Sequence, residues 1–180
     1  MSQTKVAKTY AKSLLDLSIE KGVLEQVKND MEVIYTTCID SKELRLMLLS
    51  PIVSSDKKLA VLSDIFKNKV SELSFLFIEL LAKKGREANL TAVSNAFSSL
   101  YLEYKNILKA VIVSVDGVGD SLKQKIKELV KESYQKEVIF DEVKDPSLLG
   151  GFIITIGDKQ IDASVSKKLA QLKNSFSENA

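Results

Sequence analysis

The hydrophobic period of this chain changes once, near Lys109, and that change limits what it can fold into. Upstream, apolar residues recur every three or four positions, the spacing of helices with one buried face. Val6, Tyr10, Leu14 and Leu17, with Ala7 and Ala11, mark a first helix that Gly22 is placed to end after Lys21. Leu24 to Cys38 make a second. Asp40 with Glu43 three residues on reads as a capping box for a short third helix, which must stop before Pro51. Ser55 and Asp56 open a fourth, carrying Leu59, Leu62, Ile65 and Phe66. Ser71 to Lys84 form a fifth, closed by Gly85, and Leu90, Val93, Phe97, Leu100, Tyr104 and Leu108 stripe a long sixth. Six helices with short joints predict a helical bundle.

Downstream the pattern is that of a small α/β domain. "KAVIVSV" is short and β-branched, Gly117 and Gly119 make a turn region, and Leu122, Ile126, Leu129, Val130 and Ser133 form a helix face. "EVIFDEV" is a second strand. "GFIITI" and "KQID" flank Gly157-Asp158 as a hairpin, and Val165, Leu169, Leu172 and Phe176 stripe a terminal helix opened by Ser164. The expected fold is therefore α+β: an N-terminal six-helix bundle over residues 1–105 and a small α/β domain over residues 106–180.

The reactive side chains are few. With no histidine, the commonest general base, the Ser-His-Asp triad and histidine metal sites are excluded. A single cysteine removes disulfide frameworks and thiolate zinc sites; Cys38 shares helical spacing with Leu24, Val27, Met31 and Ile34 and reads as a core thiol. The 26 basic and 24 acidic residues give a net charge of +2, with no sign of the positive concentration a nucleic-acid binder needs. No signal peptide is evident. The richest apolar run, Phe75 to Ala82, is interrupted by Glu79 and falls well short of the roughly 20 residues of a membrane span. No cofactor is expected.

The stretch "DPSLLGGFIITIGDKQIDASVSKKL" raises the question of a phosphate loop. Such a loop sets its glycines between a strand and a helix N-terminus, whereas Gly150-Gly151 leads into a strand, and neither GxxxxGK[ST] nor GxGxxG occurs. The glycines instead suit a bulge, or a close approach where a strand packs on a helix. The carboxylates Asp141, Glu142, Asp145, Asp158 and Asp162 could serve a metal-dependent enzyme, but their spacing shows no convergence.

"LLGGFIITIGDKQIDASVSKKLAQL" resembles the C-terminal signature of the delta subunit of F-type ATP synthases, the family of the oligomycin-sensitivity-conferring protein. "VAKTYAKSLLDLSIEKG", with Tyr10 and Ala11, is similar to that family's opening helix, and "LLAKKGRE", with Gly85 and Arg86, to the end of its fifth helix. The family often carries a second glycine where Ala163 stands.

The resemblance implies a non-catalytic stator component, one copy per complex, peripheral to the cytoplasmic face of a bacterial membrane and without direct membrane insertion. Its helical domain would be gripped by N-terminal segments of the alpha subunits, and its C-terminal domain would meet the b subunits of the peripheral stalk. An amphipathic alpha-subunit helix would lie between the first and fifth helices, against Tyr10, Ser13, Leu14 and Leu17 on one wall and Leu76, Glu79, Leu80 and Lys83 on the other. The same residues would equally serve as bundle core, because a helical stripe carries no mark of which neighbour covers it. Gly150, Gly151, Gly157, Ile161 and Asp162 belong to the signature and are expected to shape the small domain. A generic helical adaptor is the alternative reading.

Overall fold

The computed structural model describes residues 3 to 157 and 159 to 178. Asp158, and the side chains of Leu129, Ser133, Leu172 and Phe176, lie outside the described residues. The fold is α+β, with eight α-helices and one four-stranded sheet among the described residues, and the chain divides into two compact units, Met1–Tyr101 and Leu102–Ala180.

The first unit contains α1 (Gln3–Glu20), α2 (Leu24–Asp40), α3 (Lys42–Leu49), α4 (Ser55–Phe66), α5 (Glu72–Lys83) and α6 (Leu90–Tyr104), with a 3₁₀ turn at Glu87–Asn89. Each helix turns one apolar stripe inward, so that Ala11, Val27, Ile34, Leu62, Phe66, Ile78, Leu81, Val93 and Phe97 meet in a single core. Cys38 is fully buried in it, and burial pushes its thiol pKa up despite a hydrogen bond from Thr91 and the charge of Arg45. Both α1 and α5 end in the same way. Val23 N–H donates to the Ser18 carbonyl (3.0 Å) and Arg86 N–H to the Leu81 carbonyl (2.8 Å), each around a glycine of left-handed conformation.

Two sequence expectations are corrected here. The cap of α3 is Ser41, not Asp40: α2 runs on through Asp40, so Ser41 is the first extended residue, and its Oγ accepts from Leu44 N–H at 3.2 Å. Helix α6 stops at Tyr104 rather than reaching Leu108, because Asn106 takes a positive φ of 58° and turns the chain into a strand that already includes Leu108.

Two buried polar contacts tie these helices together. The Asp30 carboxylate on α2 accepts from Ser71 N–H (2.9 Å), Ser71 Oγ and Ser74 Oγ (2.6 Å), which fastens the start of α5. Lys58 on α4 donates to Glu87 (2.9 Å) and to the Leu48 carbonyl (2.9 Å), with both charged side chains under 8% exposed. Burial pushes the Glu87 carboxyl up, but hydrogen bonds from Lys58, the backbone and Ser55 outweigh it and hold the group below the usual carboxylate range.

The second unit is built on β1 (Ile107–Ser114), β2 (Glu137–Lys144), β3 (Phe152–Ile156) and β4 (Lys159–Asp162), in the order β2-β1-β3-β4. Strands β1 and β2 are parallel, joined through α7 (Asp120–Tyr134), while β3 runs antiparallel to both β1 and β4. Alternate residues Ala110, Ile112, Val138 and Ile154 face Ile126 and Val130 of α7 and form this unit's own core. Helix α8 (Val165–Glu178) closes the chain. Ser164 caps it, its Oγ accepting from Lys167 N–H at 3.2 Å.

Candidate functional site: the groove between α1 and α5

Residues spaced three and four apart on α1 put Tyr10, Ser13, Leu14 and Leu17 on one face, and the same spacing on α5 aligns Leu73, Leu76, Phe77 and Leu80. The two faces enclose a groove of about 390 Å³ lined by these eight residues and Lys21. Its floor is rigid. Leu14 is 2% exposed and belongs to the core, and the Tyr10 ring meets the buried Phe77 edge-on, with centroids 6.5 Å apart and planes at 69°. Its rim is open: Leu17 is 37% exposed, Leu80 43% and Leu76 50%. Three adjacent half-exposed leucines around an aromatic floor are what a soluble helical unit normally covers.

Of the eight residues expected to form the two walls, six line the groove: Tyr10, Ser13, Leu14, Leu17, Leu76 and Leu80. Glu79 and Lys83 do not; they pair with each other, four positions apart on α5, at 3.6 Å. Lys21, Leu73 and Phe77 line it as well, beyond the expected set. Leu73 and Phe77 continue the i, i+3, i+4, i+7 stripe through Leu76 and Leu80, so the signal for them is present on α5. Lys21 follows Leu17 by one helical step at the end of α1.

The C-terminal glycines make a joint. Gly151 has a φ of +81°, and a Cβ built there would stand 2.4 Å from the Ala163 carbonyl oxygen and 3.0 Å from Ser164 Cα. Backbone meets backbone at this point: Ala163 N–H donates to Phe152 (2.9 Å) and Val165 N–H to Gly150 (3.0 Å). Asp162 accepts from Ser164 N–H at 2.9 Å, and this bonding holds its carboxyl below the usual range. Gly157 forms the turn between β3 and β4 with a φ of +56°, and nothing lies within 4 Å of the place a Cβ would take. Ile161 pairs across from Ile154 and is 59% exposed.

Of the acidic residues in the metal-enzyme reading, the four that lie among the described residues have separate partners, Asp162 in Ser164 as above. Asp141 pairs with Lys109 (2.8 Å), Glu142 with Lys123 (2.5 Å), and Asp145 accepts from Ser147 N–H (2.9 Å). Among the described residues no group of three or more acidic or cysteine side chains is placed to hold a metal ion.

Comparison with known proteins agrees over the whole chain. The family model "ATP synthase delta (OSCP) subunit" matches residues 6–176. The ATP synthase subunit delta of Cytophaga hutchinsonii is 35% identical over 178 residues, covering 99% of this chain and 97% of the relative. That of Amoebophilus asiaticus is 35% identical over 177 residues, covering 98% and 96%. A chain in the cryo-EM structure of the Toxoplasma gondii mitochondrial ATP synthase hexamer superposes with a TM-score of 0.70 over 94% of this chain and 96% of its own; at 24% identity the likeness is one of fold.

Proposed function

Since the chain belongs to the ATP synthase delta (OSCP) subunit family and is thereby a non-catalytic stator component of the F-type ATP synthase, we propose that it takes hold of the catalytic head through the groove between α1 and α5. The occupant is an amphipathic helix from the N-terminal segment of an alpha subunit, laid apolar face down, a helix-in-groove mode of recognition. The observation that carries this is the open rim of Leu17, Leu76 and Leu80 over a floor fixed by the Tyr10–Phe77 contact. Each leucine, once covered, contributes on the order of 1 to 3 kcal/mol.

Rotation of the central shaft drives synthesis only if the head is held still, so the task is mechanical. Residues 1–105 grip the head, and residues 106–180 meet the b subunits of the peripheral stalk, one copy serving each complex. The protein works beside the membrane, at the cytoplasmic face of a bacterial cell; among the described residues no helix is long and apolar enough to cross a bilayer.

The test pairs thermal melting with peptide titration. Leu76→Asp and Leu80→Asp place a carboxylate at half-exposed positions, so the free protein should melt as before. A covered, unpaired carboxylate costs several kcal/mol, so affinity for an alpha-subunit N-terminal peptide should fall by orders of magnitude, at about 1.4 kcal/mol per tenfold. Unchanged binding by both variants would remove the groove from the interface.

A further inference from the structure

The groove does not stop at the end of α1. A second depression, also of about 390 Å³, shares Lys21, Leu73 and Leu76 with it and continues past them to Val23, Gln26, Ser71 and Glu72. Tyr10 packs on Phe77 while Lys21 lies with Leu73 and Leu76, so α1 and α5 run in opposite directions along one trough. At 1.5 Å per residue, the wall from Tyr10 to Lys21 is about 16 Å long, three helical turns.

Its chemistry changes along that length. The Leu80 end is apolar, whereas the Ser71 end presents an ammonium, a carboxamide and a carboxylate from Lys21, Gln26 and Glu72. The polar end is also held in place. Beneath it the buried Asp30 carboxylate takes the Ser71 amide and the hydroxyls of Ser71 and Ser74, so the start of α5 is fixed against α2 and those hydroxyls are already engaged. Glu72 sits in the first turn of α5, where the helix dipole favours a negative charge. Lys21 offers three donors in the turn just past the end of α1, and among the described residues it makes no ion pair.

We propose that the helix seated in the groove extends past Leu76 into this polar half and pairs one of its own carboxylates with Lys21, which sets its direction and register. The proposal rests on the reading of the groove given above. Apolar contacts along a stripe tolerate a shift of one turn, because leucine against leucine is similar in either register. A single charge at one end does not, so Lys21 adds specificity more than affinity.

The experiment uses the full chain, its Lys21→Glu and Leu76→Asp variants, and an alpha-subunit N-terminal peptide in two forms, native and with its acidic side chains amidated. Exposed ion pairs are individually weak, so Lys21→Glu should weaken native peptide binding by about three- to tenfold, with an unchanged melting temperature and a shallower dependence on salt. The amidated peptide should bind the unaltered chain more weakly and should not distinguish it from Lys21→Glu, which isolates the coupling. Equal binding of native peptide by Lys21→Glu and the unaltered chain, with Leu76→Asp still deficient, overturns the polar extension and leaves the groove standing. A Lys21→Glu defect that persists with the amidated peptide overturns the pairing. If Leu76→Asp binds normally, the groove reading falls, and this proposal with it. Sedimentation of the free chain covers the remaining occupant: a dimer that Leu76→Asp dissolves would make the trough a self-association face and refute both.

Discussion

Replacing Gly151 by alanine should destabilise the C-terminal unit far more than the same change at Gly157. Both glycines have positive φ, +81° and +56°, so each alanine carries a conformational penalty of about 1 to 2 kcal/mol. At Gly157 that is the whole cost, since nothing lies within 4 Å of the added carbon. At Gly151 the carbon would stand 2.4 Å from the Ala163 carbonyl oxygen, and the backbone must retreat by about an ångström to reach ordinary contact. Bonds from Ala163 to Phe152 and from Val165 to Gly150 pin both sides of that approach, so retreat breaks them. Overpacking of this kind adds roughly 1 to 3 kcal/mol, and each lost hydrogen bond about 1 more. For a unit of this size 1 kcal/mol moves the midpoint by about 4 to 8 °C. Calorimetry of the full chain should then show the C-terminal transition lowered by roughly 5 to 15 °C in Gly157→Ala and at least twice as far in Gly151→Ala. Equal shifts would refute the argument that backbone contact, and not φ alone, demands glycine at 151.

Other expectations follow from the first unit. Lys58→Met leaves Glu87 buried without its cation and should cost about 3 to 5 kcal/mol by denaturant titration. Because the folded Glu87 carboxyl titrates below its unfolded value, its stabilisation is full above the unfolded pKa and is lost as pH falls through the folded one; the gap between the unaltered chain and Glu87→Gln should narrow below about pH 4.3. Cys38, fully buried with a raised pKa, should resist alkylation at pH 8 until the protein unfolds, and fast modification under native conditions would contradict its place in the core. Limited proteolysis should release a stable N-terminal fragment, and residues 1–105 alone should keep a helical circular dichroism spectrum; an unfolded fragment would refute their independence.

The sequence is most readable where structure depends on near neighbours. The α1 stripe of Tyr10, Leu14 and Leu17 follows from spacing, and so do the turns at Gly22 and Gly85. Spacing does not separate Leu14, 2% exposed, from Leu17, 37% exposed, three positions on, because cover is supplied by helices distant in sequence. The choice between Asp40 and Ser41 as a cap is equally undecidable locally. Both side chains serve well, and the answer depends on how far α2 propagates, which ends with Ser41 N–H on the Thr37 carbonyl. Gly150-Gly151 announces a close approach, but not that the backbone at Ala163 and Ser164 makes it. Lys58 and Glu87, or Asp30 and Ser71, meet only once the helices are packed, so no local pattern marks them.

The order of strands has a consequence for how the chain is made. Strand β1 is central, with β2 on one edge and β3 on the other, and both partners are synthesised after it. The helices of the first unit make largely local contacts and need nothing downstream of α6, so they form early. From the moment Ser114 leaves the ribosome until Ile156 follows, at least one edge of an apolar, β-branched strand lacks its partner. At about 5 to 20 residues per second that interval lasts roughly 2 to 8 s, long against the microseconds in which a hairpin closes. Misassembly in the cell should therefore begin at β1, through an open edge that the finished sheet no longer has.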